Sequence, residues 1–344
     1  MCTKCGRADG TALLGPPGRP RCPRCWVTEW QRARRVQYGG FLVLLLWLAL
    51  GGRAEVAVLL AGLLAVVPVV VALDLYCVFR LLHWRVVTVT AGSGRLLWTW
   101  GTEPRWEVRW PNGTYLTEYL PSGAVSGRAH RAVLALPHLV PLAVAVVASI
   151  LVPDGGWRIV AVGMALGLGY TAVRPRGTLT LTEDDLAGMP DAVDAAVRLR
   201  RGDTTLADVE AAAARHPGSL AVVEAHANVL LARGDAVAAA AVARTAWRAE
   251  DADPVHRANV AAVYAWSVAE AGLADEGGEA WEAVRCGIAT DSPNRDPALV
   301  AFAGLLDRAG FANDADLLAR YVLRTGRDPL WMDRAAQVPS TPRS

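Results

Sequence analysis

Hydrophobic positions along the chain fall into blocks. Four runs carry almost no charge: 17 residues between Arg35 and Arg53, 24 between Glu55 and Arg80 broken only by Asp74, 22 between Arg131 and Asp154, and 15 between Arg158 and Arg174. A helix needs about 17 to 25 residues to cross the hydrocarbon core of a bilayer. The pattern therefore predicts membrane spans at 36–52, 56–79, 132–153 and 157–173. The second and third are long enough alone, while the first and fourth rely on Trp30, Tyr38, Trp157 and Tyr170 as interfacial anchors. The turns Gly51 to Glu55 and Pro153 to Gly156 are so short that the spans form two helical hairpins. Buried helices of a soluble protein are the alternative, but little polar surface remains to cover them.

Between the hairpins the period changes to two. Residues 84–122 read as a β insert: Arg105 to Trp110 alternate strictly, Pro111-Asn112-Gly113 turns, and Thr114 to Leu120 continues extended, which predicts a β-hairpin. One face of its first strand is Trp106, Val108 and Trp110; the other is Arg105, Glu107 and Arg109. With Trp98 and Trp100, the tryptophan face suits the cytoplasmic headgroup boundary, and it equally suits packing beneath a cytosolic domain, since alternation does not separate lipid from protein.

From residue 182 the pattern is helical, polar and alanine-rich. Residues 178–202 read as a linker helix, 203–335 as helical repeats, and the Pro/Ser-rich 336–344 as a disordered tail. Gly234, Gly272 and Gly310 recur every 38 residues, each preceded by Pro217, Pro254 or Pro293. Glycine ends a helix and proline starts one, so each unit reads as a helix pair, resembling tetratricopeptide-like repeats. Such stacks hold a peptide or partner helix in a groove; a plain helical bundle without a ligand is the alternative.

Composition sharpens this picture. At 53% hydrophobic and 20% charged, with mean hydropathy +0.25, the 344-residue chain does not read as an ordinary soluble globule. Lys4 is its single lysine among 35 cationic residues, which excludes a lysine nucleophile and a phosphate-binding Gly-Lys-Ser/Thr loop. Arginines cluster before the first span, between the second and third, and after the fourth, placing both termini on the cytoplasmic side of an inner (plasma) membrane.

Four of six cysteines form two knuckles, Cys2-x-x-Cys5 and Cys22-x-x-Cys25. This spacing is that of a zinc ribbon over residues 1–30, with one structural zinc per chain and a closed coordination sphere. Disulfides or a redox dithiol suit a chain without a secretory signal less well.

The order of a span, then Leu81 to Val87, Gly92-Ser93-Gly94, a hairpin, Leu120-Pro121-Ser122-Gly123, and a span opening at Arg131 resembles the site-2 metalloproteases. In that family a His-Glu-x-x-His motif on the span before the strands holds zinc and supplies the general base. Here Val71-Ala72-Leu73-Asp74-Leu75 stands in its place. The resemblance implies a site-2 protease-like pseudoenzyme, since neither valine nor leucine holds a metal or activates water. The remaining intramembrane polar residues are Asp74 and His138, which either pair across the bundle or act separately, Asp74 snorkelling and His138 bonding a carbonyl.

The expectation is thus a mostly α, polytopic membrane protein without catalytic residues, a scaffold or adaptor contacting the lipid bilayer and binding a protein or peptide partner. A metalloprotease with displaced ligands, and nucleic-acid binding through Arg7, Arg19, Arg21 and Arg24 of the ribbon, are the alternatives.

Overall fold

The computed structural model describes residues 1–8, 11, 13–14, 18–52, 54–92, 96–101, 104–109, 115–120, 133, 142–143, 145–147, 150–151, 183–249, 253–273, 276–290, 295–326 and 328–338; side chains of 55–56, 58–68 and 115–120 are not among them. The chain is mostly helical and divides into two units, residues 32–178 and residues 1–31 with 179–344. Most of the third and fourth predicted spans, with Trp110, His138 and residues 339–344 of the tail, lie outside the described residues.

In the first of these units, helix α1 (Pro23–Leu50), which begins in the other unit, and helix α2 (Ala54–Leu81) are joined by Gly51 and Gly52, with Gly52 left-handed at φ +74°. Leu48 and Ala57 pack across that turn. Among the described residues one helix, α1, is long and apolar enough to cross a membrane, and only 6% of its apolar window is buried. Val43, Trp47 and Leu50 of α1 all point outward.

The end of α2 supports a mixed four-stranded sheet of β1 (Arg85–Ala91), β2 (Leu96–Trp100), β3 (Arg105–Arg109) and β4 (Tyr115–Leu120), in the order β2-β3-β1-β4. The expected hairpin between 105–110 and 114–120 does not form. Instead β1 lies between them, parallel to β3 (Val89 opposite Trp106) and antiparallel to β4 (Val89 opposite Thr117), while β3 makes its antiparallel pair with β2. The reason lies in β1 itself. Val86, Val87, Thr88, Val89, Thr90 and Ala91 are all buried, and a strand apolar on both faces belongs at the centre of a sheet. The sequence Pro111-Asn112-Gly113 is a local turn signal; the buried run outranks it.

The other unit is a stack of helix pairs: α3 (Glu183–Arg201) with α4 (Leu206–Arg215), α5 (Leu220–Ala232) with α6 (Ala236–Ala246), α7 (Pro254–Ala271) with α8 (Gly277–Ala289), and α9 (Asp296–Arg308) with α10 (Ala312–Thr325), followed by α11 (Pro329–Gln337). Gly234, Gly272 and Gly310 adopt φ of +80°, +68° and +83°. Beyond each, the same bond recurs: Asp235 N–H to Leu230 O (3.0 Å), Leu273 N–H to Val268 O (3.1 Å) and Phe311 N–H to Leu306 O (2.8 Å). This is the six-to-one bond that closes a helix over a left-handed residue. Asp235 and Asp253 cap the helices that follow them. Alanines do the interior packing: Ala239, Ala243, Ala261, Ala265, Ala280, Ala283, Ala301 and Ala315 are wholly buried. Their size lets helix axes approach closely.

Residues 183–201 are no linker. Asp185 is buried and accepts from Leu220 N–H (2.9 Å), and Asp184 accepts from Gly218 N–H (2.6 Å), so α3 satisfies the free donors at the start of α5. Gly188 permits the contact, since a Cβ there would stand 2.8 Å from both Ser219 Oγ and Val222 Cγ2.

Candidate metal centre and its docking surface

Four thiols converge at the start of the chain. Gly6, left-handed at φ +74°, turns the backbone after the first knuckle; its N–H donates to Cys2 O (3.0 Å) and Cys2 N–H donates to Arg7 O (2.7 Å). The second knuckle opens α1. Pro23 suits the first helical position, and Trp26 N–H donates to Cys22 O (3.0 Å). A bridge between Leu14 and Arg21 closes the loop between the knuckles. Thr3 N–H donates to Pro20 O (2.9 Å) and ties that loop to the first knuckle.

All four sulfurs lie within 4.8 Å of one another, with Cys5 and Cys22 at 3.8 Å. A disulfide bond measures about 2.05 Å. In a tetrahedron with metal–sulfur bonds of about 2.3 Å the sulfurs stand about 3.8 Å apart. Burial raises the Cys2 thiol, but hydrogen bonds from the backbone at Cys22, Cys5 and Lys4 outweigh it and bring it down to about 6. Burial pushes Cys25 up to about 12, the neighbouring thiols adding to the rise, and also raises Cys22. One thiolate therefore forms readily, and three more within the same few ångströms need a cation to hold them. The donor set fits a tetrahedral metal ion such as zinc or iron, with no position left open for a substrate.

The cysteine knuckles are not a free-standing module. Leu14 and Val27 belong to the hydrophobic core of the helical stack, and Trp26 packs against it. Tyr321 of α10 receives two rings edge-on, Trp26 at 5.0 Å and Trp30 at 4.8 Å between centroids. Arg7 Nη1 meets Asp314 Oδ2 at 2.5 Å, and its guanidinium lies over Phe311. Two of the docking residues lie close to a ligand in the chain, Arg7 two residues after Cys5 and Trp26 one residue after Cys25. Trp30, expected as a membrane anchor, is therefore a protein contact. Tyr38 instead accepts a hydrogen bond from Arg34 Nη1 (2.9 Å). Of the four ribbon arginines, Arg7 is committed to Asp314 and Arg21 to Glu29 and Thr3.

This docking surface was legible in part. Trp26 and Trp30 stand four apart on one helix and so share a face, but nothing local in the sequence separates lipid from protein as its cover. Asp314 and Tyr321 gave no comparable signal.

In the sheet the charged face of β3 is the more buried one. Glu107 and Arg109 are each 4% exposed. The Glu107 carboxylate lies between two guanidiniums, Arg105 Nε at 3.0 Å and Arg109 Nη2 at 2.9 Å. By contrast Trp98 and Trp100 are 63% and 42% exposed. Tyr76 of α2, Trp106, Trp100 and Trp98 form a ladder with successive centroids 5.1, 5.6 and 4.7 Å apart. Asp74 is half-buried in α2. Val71, Ala72 and Leu75, where the site-2 resemblance would place ligands and base, pack with Phe79, Trp84, Val86 and Val89 as the core beneath the sheet.

No protein-family model, curated protein or solved structure matches the chain.

Across the first helices of the stack runs a polar seam. Asn259 Nδ2 donates to Glu224 Oε2 (3.2 Å), and His256 Nδ1 stands 3.9 Å from the same oxygen. Burial lowers the His256 imidazole, but Glu224, Asp253 and Asp185 together raise it above its ordinary value.

Proposed function

We propose that this protein is a non-enzymatic, membrane-anchored adaptor: a multi-pass membrane domain built on a degenerate site-2 protease-like scaffold, with a cytoplasmic helical-repeat domain that binds a protein partner. One structural zinc in the Cys2, Cys5, Cys22 and Cys25 cluster stabilises the end of the repeat stack. The observation that carries this reading is the shared core of the cysteine knuckles and the repeats, from which α1 continues into an apolar stretch with almost none of its surface covered by protein. Apolar area left open on that scale marks a membrane or protein interface, and the length of the helix suits a bilayer. The tryptophan ladder supports the same assignment, because amphipathic rings collect at the headgroup boundary.

The absence of catalysis is supported by the packed core at Val71, Ala72 and Leu75. These side chains offer neither a metal ligand nor a base. Metal analysis of the purified full-length protein tests the reading directly. One zinc per chain, lost with Cys22→Ser, is the expected result. A second equivalent that survives this substitution, with chelator-sensitive cleavage of a transmembrane peptide, would establish the displaced-ligand protease instead.

A further inference from the structure

The last helix, α11, does not resemble a simple lid on the stack. Trp331 is 1% exposed and Arg334, one turn later, is 5% exposed, with its Cζ 4.5 Å from the Trp331 ring centroid. Arg334 Nη1 is buried with no hydrogen-bond partner among the described residues. The helix packs on α9 and α10, and its end forms part of the wall of an open cleft of about 190 Å³ lined by Trp266, Glu270, Gly304, Asp307, Arg308 and Val338. Burial pulls the guanidinium down to about 10, against the attraction of Asp328, Glu270 and Glu224. Two of those carboxylates sit on α7 and α5. Arg334 thus feels the negative potential of the side on which the polar seam runs.

Burying a guanidinium with one nitrogen left unpaired is costly, and an apolar residue would complete a cap more cheaply. Tryptophan and arginine are the residue types that dominate binding hot spots. A nine-residue helix is also too short to persist in water without a docking face. We infer that α11 is an internal ligand: the repeat face recognises a helix that presents an aromatic ring and an arginine three residues apart, and a partner helix of that chemistry binds by displacing α11. The inference rests on the adaptor reading above and names the partner's recognition element.

The probe is a labelled peptide of residues 326–338, offered to two full-length proteins in detergent. Wild type already holds its own α11 at the millimolar effective concentration of a short tether. It should bind the peptide at least tenfold more weakly than the full-length Trp331→Ala/Arg334→Ala variant. Peptide carrying Arg334→Glu should lose at least tenfold on the variant. Equal binding by the two proteins, no binding by a variant with native helicity, or a variant that unfolds would each show α11 to be a structural part of the core. Crosslinking in native membranes separates the two proposals. A partner captured equally by wild type and variant, without peptide binding, removes this inference and leaves the adaptor. Peptide binding without any membrane partner does the reverse.

Discussion

Arg7 and Asp314 stand 307 positions apart in the chain and meet at 2.5 Å. Asp314 is almost fully enclosed, whereas Arg7 is about one-third exposed, so the pair lies at the rim of a buried contact. Its energetic role follows from that asymmetry. Removing Arg7 leaves a buried carboxylate without its guanidinium, while removing Asp314 leaves a cation that can still reach water.

Arg7→Ala should therefore destabilise the protein more than Asp314→Ala does, by about 1–3 kcal/mol for the arginine. A double-mutant cycle followed by denaturant unfolding should return a coupling of about 0.5–3 kcal/mol. Strict additivity would mean that the knuckles and α10 do not depend on this contact.

How much of this was readable beforehand divides along sequence distance. The six helices between Leu220 and Thr325 follow from glycines, prolines and caps within a few positions of each boundary, because helix ends are closed by local bonds such as Asp235 N–H to Leu230 O. The four cysteines are equally legible, since metal geometry dictates their spacing. The pairing of β1 between β3 and β4 was not, because the turn signal in the sequence Pro111-Asn112-Gly113 is visible locally whereas the burial of Val86 to Ala91 on both faces is a property of the assembled sheet. The docking of Trp26 and Trp30 on Tyr321 failed for the same reason. An aromatic stripe near an apolar span reads as a membrane anchor until its distant partner is known.

Gly188 gives a prediction whose sign distinguishes the linker reading from the packed one. In an exposed linker helix, Gly188→Ala would gain about 1 kcal/mol of helix propensity. In the structure the new methyl group meets Ser219 Oγ and Val222 Cγ2 at 2.8 Å, and Ser219 Oγ already accepts from Val222 N–H at the start of α5. Overpacking costs about 1–3 kcal/mol and loss of the cap about 1 kcal/mol. The variant should therefore melt below wild type, as read by the helical signal in circular dichroism.

His256 should make stability depend on pH. Its folded value is raised by Glu224, Asp253 and Asp185 over the opposing effect of burial. A group raised in the folded state contributes stability that is fully present below its unfolded value of about 6.5 and is lost as pH rises through the folded value. The stability difference between wild type and His256→Gln should thus be larger at pH 5.5 than at pH 9. A constant difference across this range would mean that the imidazole is not charged in the folded seam.

Metal removal should loosen the end of the repeat stack as well as the knuckles. Cys2 N–H holds Arg7 O and Trp26 N–H holds Cys22 O, so the backbone that presents Arg7 and Trp26 is ordered by the same turns that present the thiols. Without a cation the raised thiols of Cys22 and Cys25 stay protonated, and the empty cluster confers none of the binding energy that structural sites add to folding. Trp26 and Trp30 should then leave Tyr321, exposing the core residues around Leu14 and Val27. Chelation of the full-length protein should red-shift part of its tryptophan emission and speed hydrogen exchange in α10, while α5 and α6 exchange as before. Cys25→Ser should reproduce both changes without chelator. If chelation strips the metal and α10 remains protected, then apolar packing alone holds the knuckles in place and the ion is dispensable to the stack.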